Sequence, residues 1–395
     1  MTAPGGTATQ TRPKAPSASM SNSAPDVQGG GGVIPFIRGS GWGRYPIAMP
    51  AGSGAITLTT TTQTLGPIQV KAYDYMRALV VEVIPTSPGG GSGVTTTEDG
   101  PWNFFAGVEV LQPNGQTMYK CSSGFSSAMI HAHGYYRVYG DPRQYENFLY
   151  TTGAGTAPSL GFRFRIPFEL NLSETLGALP NKDANAPFQL TLTLNTLANV
   201  FGGSPTTPTF NVRCWLEAAD QPPAVLDGQA VETTPPGMNT LQRWTEQPIA
   251  INAGQFDARV RKLGNYVRLL IPILRRSAST RANGDTDWPD PVQVVLDEDV
   301  KDNISKTTFQ DDIHEYWGYG QPGSTRDVFS VTTGVGRWNG VFPIQYMSGP
   351  PGYDNGDRWL PTIESEDYIL RGVYGNNGTI TMLVGEVLPQ GDIFS

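Results

Sequence analysis

The stretch FRFRIPFELNLSETLGALPNKDANAPFQLTLTLN, residues 162–195, decides the fold. Phe162, Phe164, Ile166, Phe168 and Leu170 occupy even positions, and Arg163, Arg165, Pro167 and Glu169 the odd ones. Successive side chains of a strand point to opposite faces, so this spacing describes a strand with one buried face. Pro167 removes a ladder donor, which predicts a sheet edge or a bulge at that point. After a polar connection, Phe188, Leu190, Leu192 and Leu194 repeat the pattern with Gln189, Thr191 and Thr193 opposite.

Working outward, the same strand chemistry recurs. Ile56, Leu58 and Leu65 mark a strand start, followed by Ile68 with Val70 and by Leu79 to Ile84. Val108 to Leu111 runs into Pro113-Asn114-Gly115, a strong turn signal. Thr209 to Leu216 reads as a further strand. Asp141-Pro142 resembles a helix start and predicts a short helix over Arg143 to Tyr150. Up to Leu216 this gives six to eight strands and no long helix, hence a sandwich or barrel.

The order of these landmarks returns in the second half. GPIQV around Pro67 is echoed by QPIAI around Pro248, and VVEVIP around Val81 by LLIPIL around Leu270. MIHAHGYY around Ile130 is echoed by DIHEYWGY around Ile313. FRIPFEL at Pro167 is echoed by GVFPIQY at Pro343, and FQLTLTL at Leu190 by YILRGVY at Leu370. Five landmarks in one order indicate two copies of a domain-sized all-β unit, far longer than a solenoid repeat. Pro222-Pro223 and Pro235-Pro236 mark a linker between them. The expected division is a flexible arm over 1–32, a first unit over 33–221, a linker over 222–242 and a second unit over 243–395. The arm is rich in Pro, Ala, Ser, Thr and Gly and lacks the large apolar groups a core needs.

The bulk properties agree. Of 395 residues, 38% are hydrophobic and 16% charged, with 47 Gly and 33 Pro, a balance that suits short strands joined by long turns. A chain this long buries a core without staples, so Cys121 and Cys214 read as buried thiols rather than a disulfide framework. A net charge of -8, with basic residues grouped only at Arg259 to Lys262 and Arg275-Arg276, argues against nucleic-acid binding. Residues 1–32 lack the apolar core of a secretory signal, and no run approaches a membrane span.

The candidate chemistry is sparse. His131-x-His133 on a strand would present two imidazoles on one face for a metal, but the Glu that follows such a pair in a cupin is missing; the nearest is Glu146. His314 belongs to the other unit. The acidic groups Asp297-Glu298-Asp299, Glu364 to Asp367 and Asp354 to Asp357 sit among turn residues, with no sign of a convergent catalytic pair. Asp285, Asp287 and the 354–357 segment could hold calcium, though the twelve-residue calcium-loop pattern is absent. There is no phosphate loop and no nucleophile elbow. The expectation is no catalytic, cofactor-binding or metal residue; the protein is not an enzyme.

FRIPFELNLSETLGALP followed by FQLTLTLN resembles the strand, short helix and strand segment of jelly-roll capsid proteins. Two such units in one chain resemble the double jelly-roll major capsid proteins of tectivirus-like phages, over about Val33 to Leu388. The resemblance implies an all-β fold of two tandem eight-stranded jelly-rolls with short flanking helices. It also implies a homotrimer of near-hexagonal outline that tiles an icosahedral virion shell, assembled in the host cytoplasm. Neighbouring capsomers, vertex and minor capsid proteins would be partners, with an internal membrane reached through the N-terminal arm and no specific nucleic acid. Two alternatives stay open at this point: a carbohydrate-binding or depolymerising virion spike, in which Trp and Tyr line a sugar platform, and a cupin-like metalloenzyme.

Overall fold

In the computed structural model, residues 32–388 are described apart from 88, 92–93, 135–148, 154–155, 203–205, 207, 238–239, 261–263, 278–279, 282–288, 318–337, 339, 348–353, 355 and 366. Among them, eight principal strands build the first unit: β1 (Trp42–Pro46), β2 (Gln63–Gln69), β3 (Tyr73–Ser87), β4 (Phe105–Leu111), β5 (Thr117–Cys121), β6 (Thr156–Pro167), β7 (Gln189–Leu194) and β8 (Thr209–Ala219). Helix α1 (Gly124–Gly134) lies between β5 and β6. Eight more build the second: β9 (Leu241–Ile251), β10 (Gly254–Val260), β11 (Tyr266–Ser277), β12 (Val292–Leu296), β13 (Asp299–Ile304), β14 (Ile344–Gln345), β15 (Tyr368–Tyr374) and β16 (Gly378–Leu388). Helix α2 (Lys306–Trp317) lies between β13 and β14.

The first unit pairs its strands as β1-β8-β3-β6 and β2-β7-β4-β5, the second as β9-β16-β11-β14 and β10-β15-β12-β13. Subtracting eight from each label of the second unit reproduces the first. Each unit is therefore a two-layer jelly-roll, and each principal strand of one has a counterpart in the other.

The two quoted strands fall on opposite layers of the first unit. Phe162, Phe164 and Ile166 of β6 and Leu190, Leu192 and Leu194 of β7 are buried between the layers. Phe105 fills the gap, edge-on to Phe162 and Phe164 at 6.0 and 5.9 Å between centroids. The irregularity expected at Pro167 is present: β6 stops there, and the N–H groups of Phe168 and Glu169 both donate to the Arg77 carbonyl, at 3.0 and 3.1 Å. The connection differs from the expected short helix. Residues 172–175 form a turn, in which the N–H and Oγ of Ser173 donate to Asn171 Oδ1 at 2.9 and 2.7 Å and Thr175 takes φ 56°. The Asn side chain offers the backbone a local alternative to helix.

α1 spans eleven residues, and the sequence reading does not place it. GFSSAMIHAHG is buried at every position, so it carries no polar stripe for periodicity to detect. The helix over Arg143 to Tyr150 lies mostly outside the described residues, and Leu149 and Tyr150 belong to a short strand, Leu149–Gly153, paired with β6.

Four of the five repeat landmarks fall on counterpart elements: β3 with β11, α1 with α2, the Pro167 end of β6 with the approach to β14, and β7 with β15. The GPIQV–QPIAI match is displaced by one strand, since it joins β2 to β9, the counterpart of β1. β1 is only five residues long and mostly exposed, so it offers little apolar signal. Finer features also repeat. A register shift in β4–β5, where Val110 faces Tyr119 and Leu111 faces Thr117, recurs in β12–β13, where Val294 faces Asp302 and Val295 faces Val300. Ser123 Oγ accepts from Ser126 N at 3.1 Å at the start of α1, as Ser305 Oγ accepts from Thr308 N at 3.2 Å before α2. Arg44 on β1 pairs with Glu217 directly across on β8, and Arg243 on β9 with Glu386 directly across on β16. Desolvation raises the pKa of both glutamates, against the pull of their arginines.

The β12–β13 hairpin turns through Asp297 and Glu298, both at positive φ (51° and 72°). Two-residue hairpins need this hand, yet a residue with a Cβ is strained there by about 1 kcal/mol. Replacing Glu298 by Gly is expected to stabilise the protein by roughly 0.5–1 kcal/mol, measured by urea denaturation. Asp297 is left in place because its Oδ1 accepts from Asp367 N at 3.1 Å.

The two units join edge to edge. β5 runs parallel to β9, with Tyr119 opposite Trp244, so one sheet continues from the first unit into the second. A single cluster of buried apolar side chains extends through both.

Candidate functional site

Several of the residue groups singled out in the sequence have structural roles among the described residues. His131 and His133 lie on α1, not on a strand, and both are buried. His133 Nδ1 meets the Met129 carbonyl at 3.0 Å, and its ring packs edge-on against Trp317, whose Nε1 donates to the His133 carbonyl at 3.3 Å. Burial lowers the pKa of His131 to about 3, with Arg165 and Arg163 adding to it, and that of His133 to about 4, with the Met129 bond opposing. Among the described residues, no group of three or more His, Cys, Asp or Glu side chains is placed to hold a metal. His314 falls on α2, so the two matched His segments are counterparts in the fold.

The described acidic residues make turns and ion pairs. Asp297 and Glu298 make the hairpin turn, and Asp367 accepts from Arg259 Nη1 at 3.0 Å. Asp354 is fully buried; it accepts from Arg268 Nε and Trp359 Nε1, each at 2.7 Å, and from Gly356 N at 3.0 Å. Both of its oxygens accept from protein donors, in the segment that the sequence offers for calcium. Asp285, Asp287, Glu366, Tyr135 and Tyr319 lie outside the described residues. Cys121 and Cys214 are free and buried, and burial pushes both thiols far above their usual pKa, the opposite of a reactive thiolate.

The most elaborate constellation is one that sequence reasoning missed: the seam between the two units. Trp244, on β9, is fully buried there. A Cβ at Gly134, the end of α1, would stand 3.0 Å from its ring, and one at Gly385 on β16 only 2.7 Å away, so both glycines are the price of seating the indole. Ser122 donates through N and Oγ to Glu246 at 2.6 and 2.5 Å. Arg275 pairs with Asp99 at 2.6 Å, and Arg281 reaches Asp99 as well as lying 4.5 Å over the Phe125 ring. Trp338 meets Trp102 and Phe125 edge-on, at 5.1 and 5.7 Å. A polar cavity of about 420 Å³ remains at this seam, lined by Asp99, Asn103, Ser122, Asn195, Glu246 and Arg275. The signal in the sequence was Gly385 inside a strand rich in Thr, Ile, Val, Leu and Met, a mark of close approach. The aromatic residues expected either in a sugar platform or in core and interface are in the latter for Trp102, Trp244 and Trp338.

Eight principal strands in two layers, repeated in one chain and fused along one edge, define a double jelly-roll. The sequence matches no protein-family model and no curated protein. Solved structures share the fold. The STIV MCP, from Sulfolobus Turreted Icosahedral Virus, superposes with a TM-score of 0.57 at 14% identity, over 89% of this chain and 99% of that one. The major capsid protein P2 of bacteriophage PM2 gives 0.52 at 9% identity, over 89% and 99%. The Faustovirus major capsid protein gives 0.53 at 9%, over 88% and 90%.

Proposed function

We propose that the chain is the major capsid protein of an icosahedral virus, a shell-building protein and not an enzyme. The observation that carries this reading is the seam: two copies of one eight-stranded unit are fixed edge to edge by buried aromatics and ion pairs. The proteins that share this arrangement over nearly their whole length are capsid proteins by name.

The reading carries further elements. The building block is a homotrimer, which sets six jelly-rolls in a ring of near-hexagonal outline. Its partners are neighbouring capsomers and vertex and minor capsid proteins, and the place of assembly is the host cytoplasm, for incorporation into the virion. Residues 1–32 act as an arm toward neighbours or an internal membrane. The first unit takes 33–221, the linker 222–242 and the second unit 243–395; β9 begins at Leu241, two residues before that last boundary. Light scattering of the purified protein on a sizing column tests the building block. A stable species of three times the 42.6 kDa chain mass is expected, and a clean single-chain mass at micromolar concentration would overturn the trimer.

A further inference from the structure

Two strand connections carry an asparagine followed by glycine within the described residues: Asn114-Gly115 between β4 and β5, and Asn377-Gly378 where β15 turns into β16. In such a pair the glycine nitrogen, unshielded by a Cβ, can reach the carbonyl carbon of the asparagine side chain. The two pairs are alike in sequence and differ in surroundings. Pro113 to Gln116 are all exposed. Gly115 takes φ 83°, and a Cβ there would meet nothing within 4 Å. Asn114 Oδ1 accepts from Gln116 N at 3.0 Å, an Asx-turn that folds the side chain back over the Gly115 peptide. By contrast, Asn377 Oδ1 accepts from Ala253 N at 2.9 Å, which holds that side chain against the turn between β9 and β10. Gly378 pairs with Ile251 of β9, and a Cβ on it would stand 2.2 Å from the Arg275 carbonyl oxygen of β11. The second pair is therefore clamped between β9 and β11, and the first is open.

We propose that Asn114 is a site of spontaneous deamidation, through a cyclic imide formed with Gly115. The Gly115 nitrogen gives its proton to water or hydroxide and bonds to Asn114 Cγ. The Cγ–Nδ2 bond breaks, and the amide nitrogen leaves as ammonia with a proton from solvent. Negative charge develops on Oδ1 in that step, and the Gln116 N–H already donates to this oxygen, as the donor of an oxyanion hole does. Water then opens the five-membered imide on either side. Attack at Cγ gives aspartate; attack at the main-chain carbonyl carbon gives isoaspartate, with the backbone routed through the former side chain. The reaction needs no oxidant, cofactor or enzyme. Its one restraint is the bond from Gly115 N to the Gln112 carbonyl at 2.9 Å, which must open first; at an exposed tip such opening is local and costs little. Either product adds a negative charge to the turn. Isoaspartate also lengthens the main chain between β4 and β5, and β5 is the strand that joins β9 in the seam. The turn thus carries a permanent mark of the age of the protein.

The test incubates the full native chain in mildly alkaline buffer made with water carrying heavy oxygen. Peptide mass spectrometry follows both asparagines, beside the same chain unfolded in urea. In the native protein Asn114 is expected to become a carboxylate carrying one heavy oxygen, at a rate that rises with pH. It should react at least about tenfold faster than Asn377, the protection that local structure gives the clamped pair. In urea the two should react at similar rates. A protease that cuts before aspartate separates the products, since isoaspartate resists it. Asn114→Gln, whose longer side chain needs a six-membered ring, keeps an amide at the exposed tip and is expected to abolish the signal there. An Asn114 that stays intact in the native protein while reacting in urea, or that reacts no faster than Asn377, would overturn the proposal. So would a signal at the turn that persists in Asn114→Gln.

Discussion

Replacing Trp244 by Ala is expected to lower the unfolding free energy by about 3–5 kcal/mol, the range for deleting a large buried aromatic. The loss should sit at the upper end. The indole is held by three elements at once: β9, which carries it, the end of α1 at Gly134, and β16 at Gly385. Both glycines are backbone, which cannot repack into the space left by the ring, so the cavity stays. Trp244→Phe keeps part of the ring and should cost less than half as much. Because the residue lies on the seam, its removal should also loosen the coupling between the units. Calorimetry is expected to turn a single transition into two overlapping ones. A loss below 1 kcal/mol with one sharp transition would mean that the seam is held by its polar contacts and not by this side chain.

Arg268→Met is expected to cost about 3–5 kcal/mol, because it leaves the Asp354 carboxylate buried without its cation. Both side chains are completely inaccessible, with Nε to Oδ2 at 2.7 Å, and Arg268 Nη1 also donates to Gln242 Oε1 at 3.2 Å. Removing both charges, as Arg268→Met with Asp354→Leu, should be less damaging than the single change, since no stranded charge remains. Recovery is incomplete: Trp359 Nε1 and Gly356 N lose their acceptor, at about 1 kcal/mol for each bond. A double-mutant cycle in urea checks this. Additive losses would show that the two groups do not act as a buried pair.

Much of this architecture is legible in the sequence, and the parts that are not share a cause. The alternation of β6 and β7 is plain because each has one face in the core and the other against polar surroundings. The pairing of the two halves is legible wherever a strand or helix keeps one or two distinctive residues, such as Pro167 and Pro343. β1 escapes because it is a short, exposed edge, and its absence displaces one landmark onto the wrong strand. α1 escapes because burial on all sides erases the polar stripe that marks a helix. The His131 and His133 pair invites a metal reading only while it is placed on a strand; on a helix, two positions apart, the rings diverge. The seam is not written in any local pattern. It depends on residues more than a hundred positions apart, Tyr119 with Trp244 and Ser122 with Glu246, and only a strand glycine at 385 hints at it.

Fusing the two units in one chain also frees their contact from dependence on protein concentration. Within the chain, the tether holds β9 near β5 at an effective concentration of order millimolar, so the seam forms however dilute the protein is. Two separate chains carrying the same halves would have no such tether, and their contact would depend on concentration. The tether thus makes the seam a fold-completing contact at any dilution.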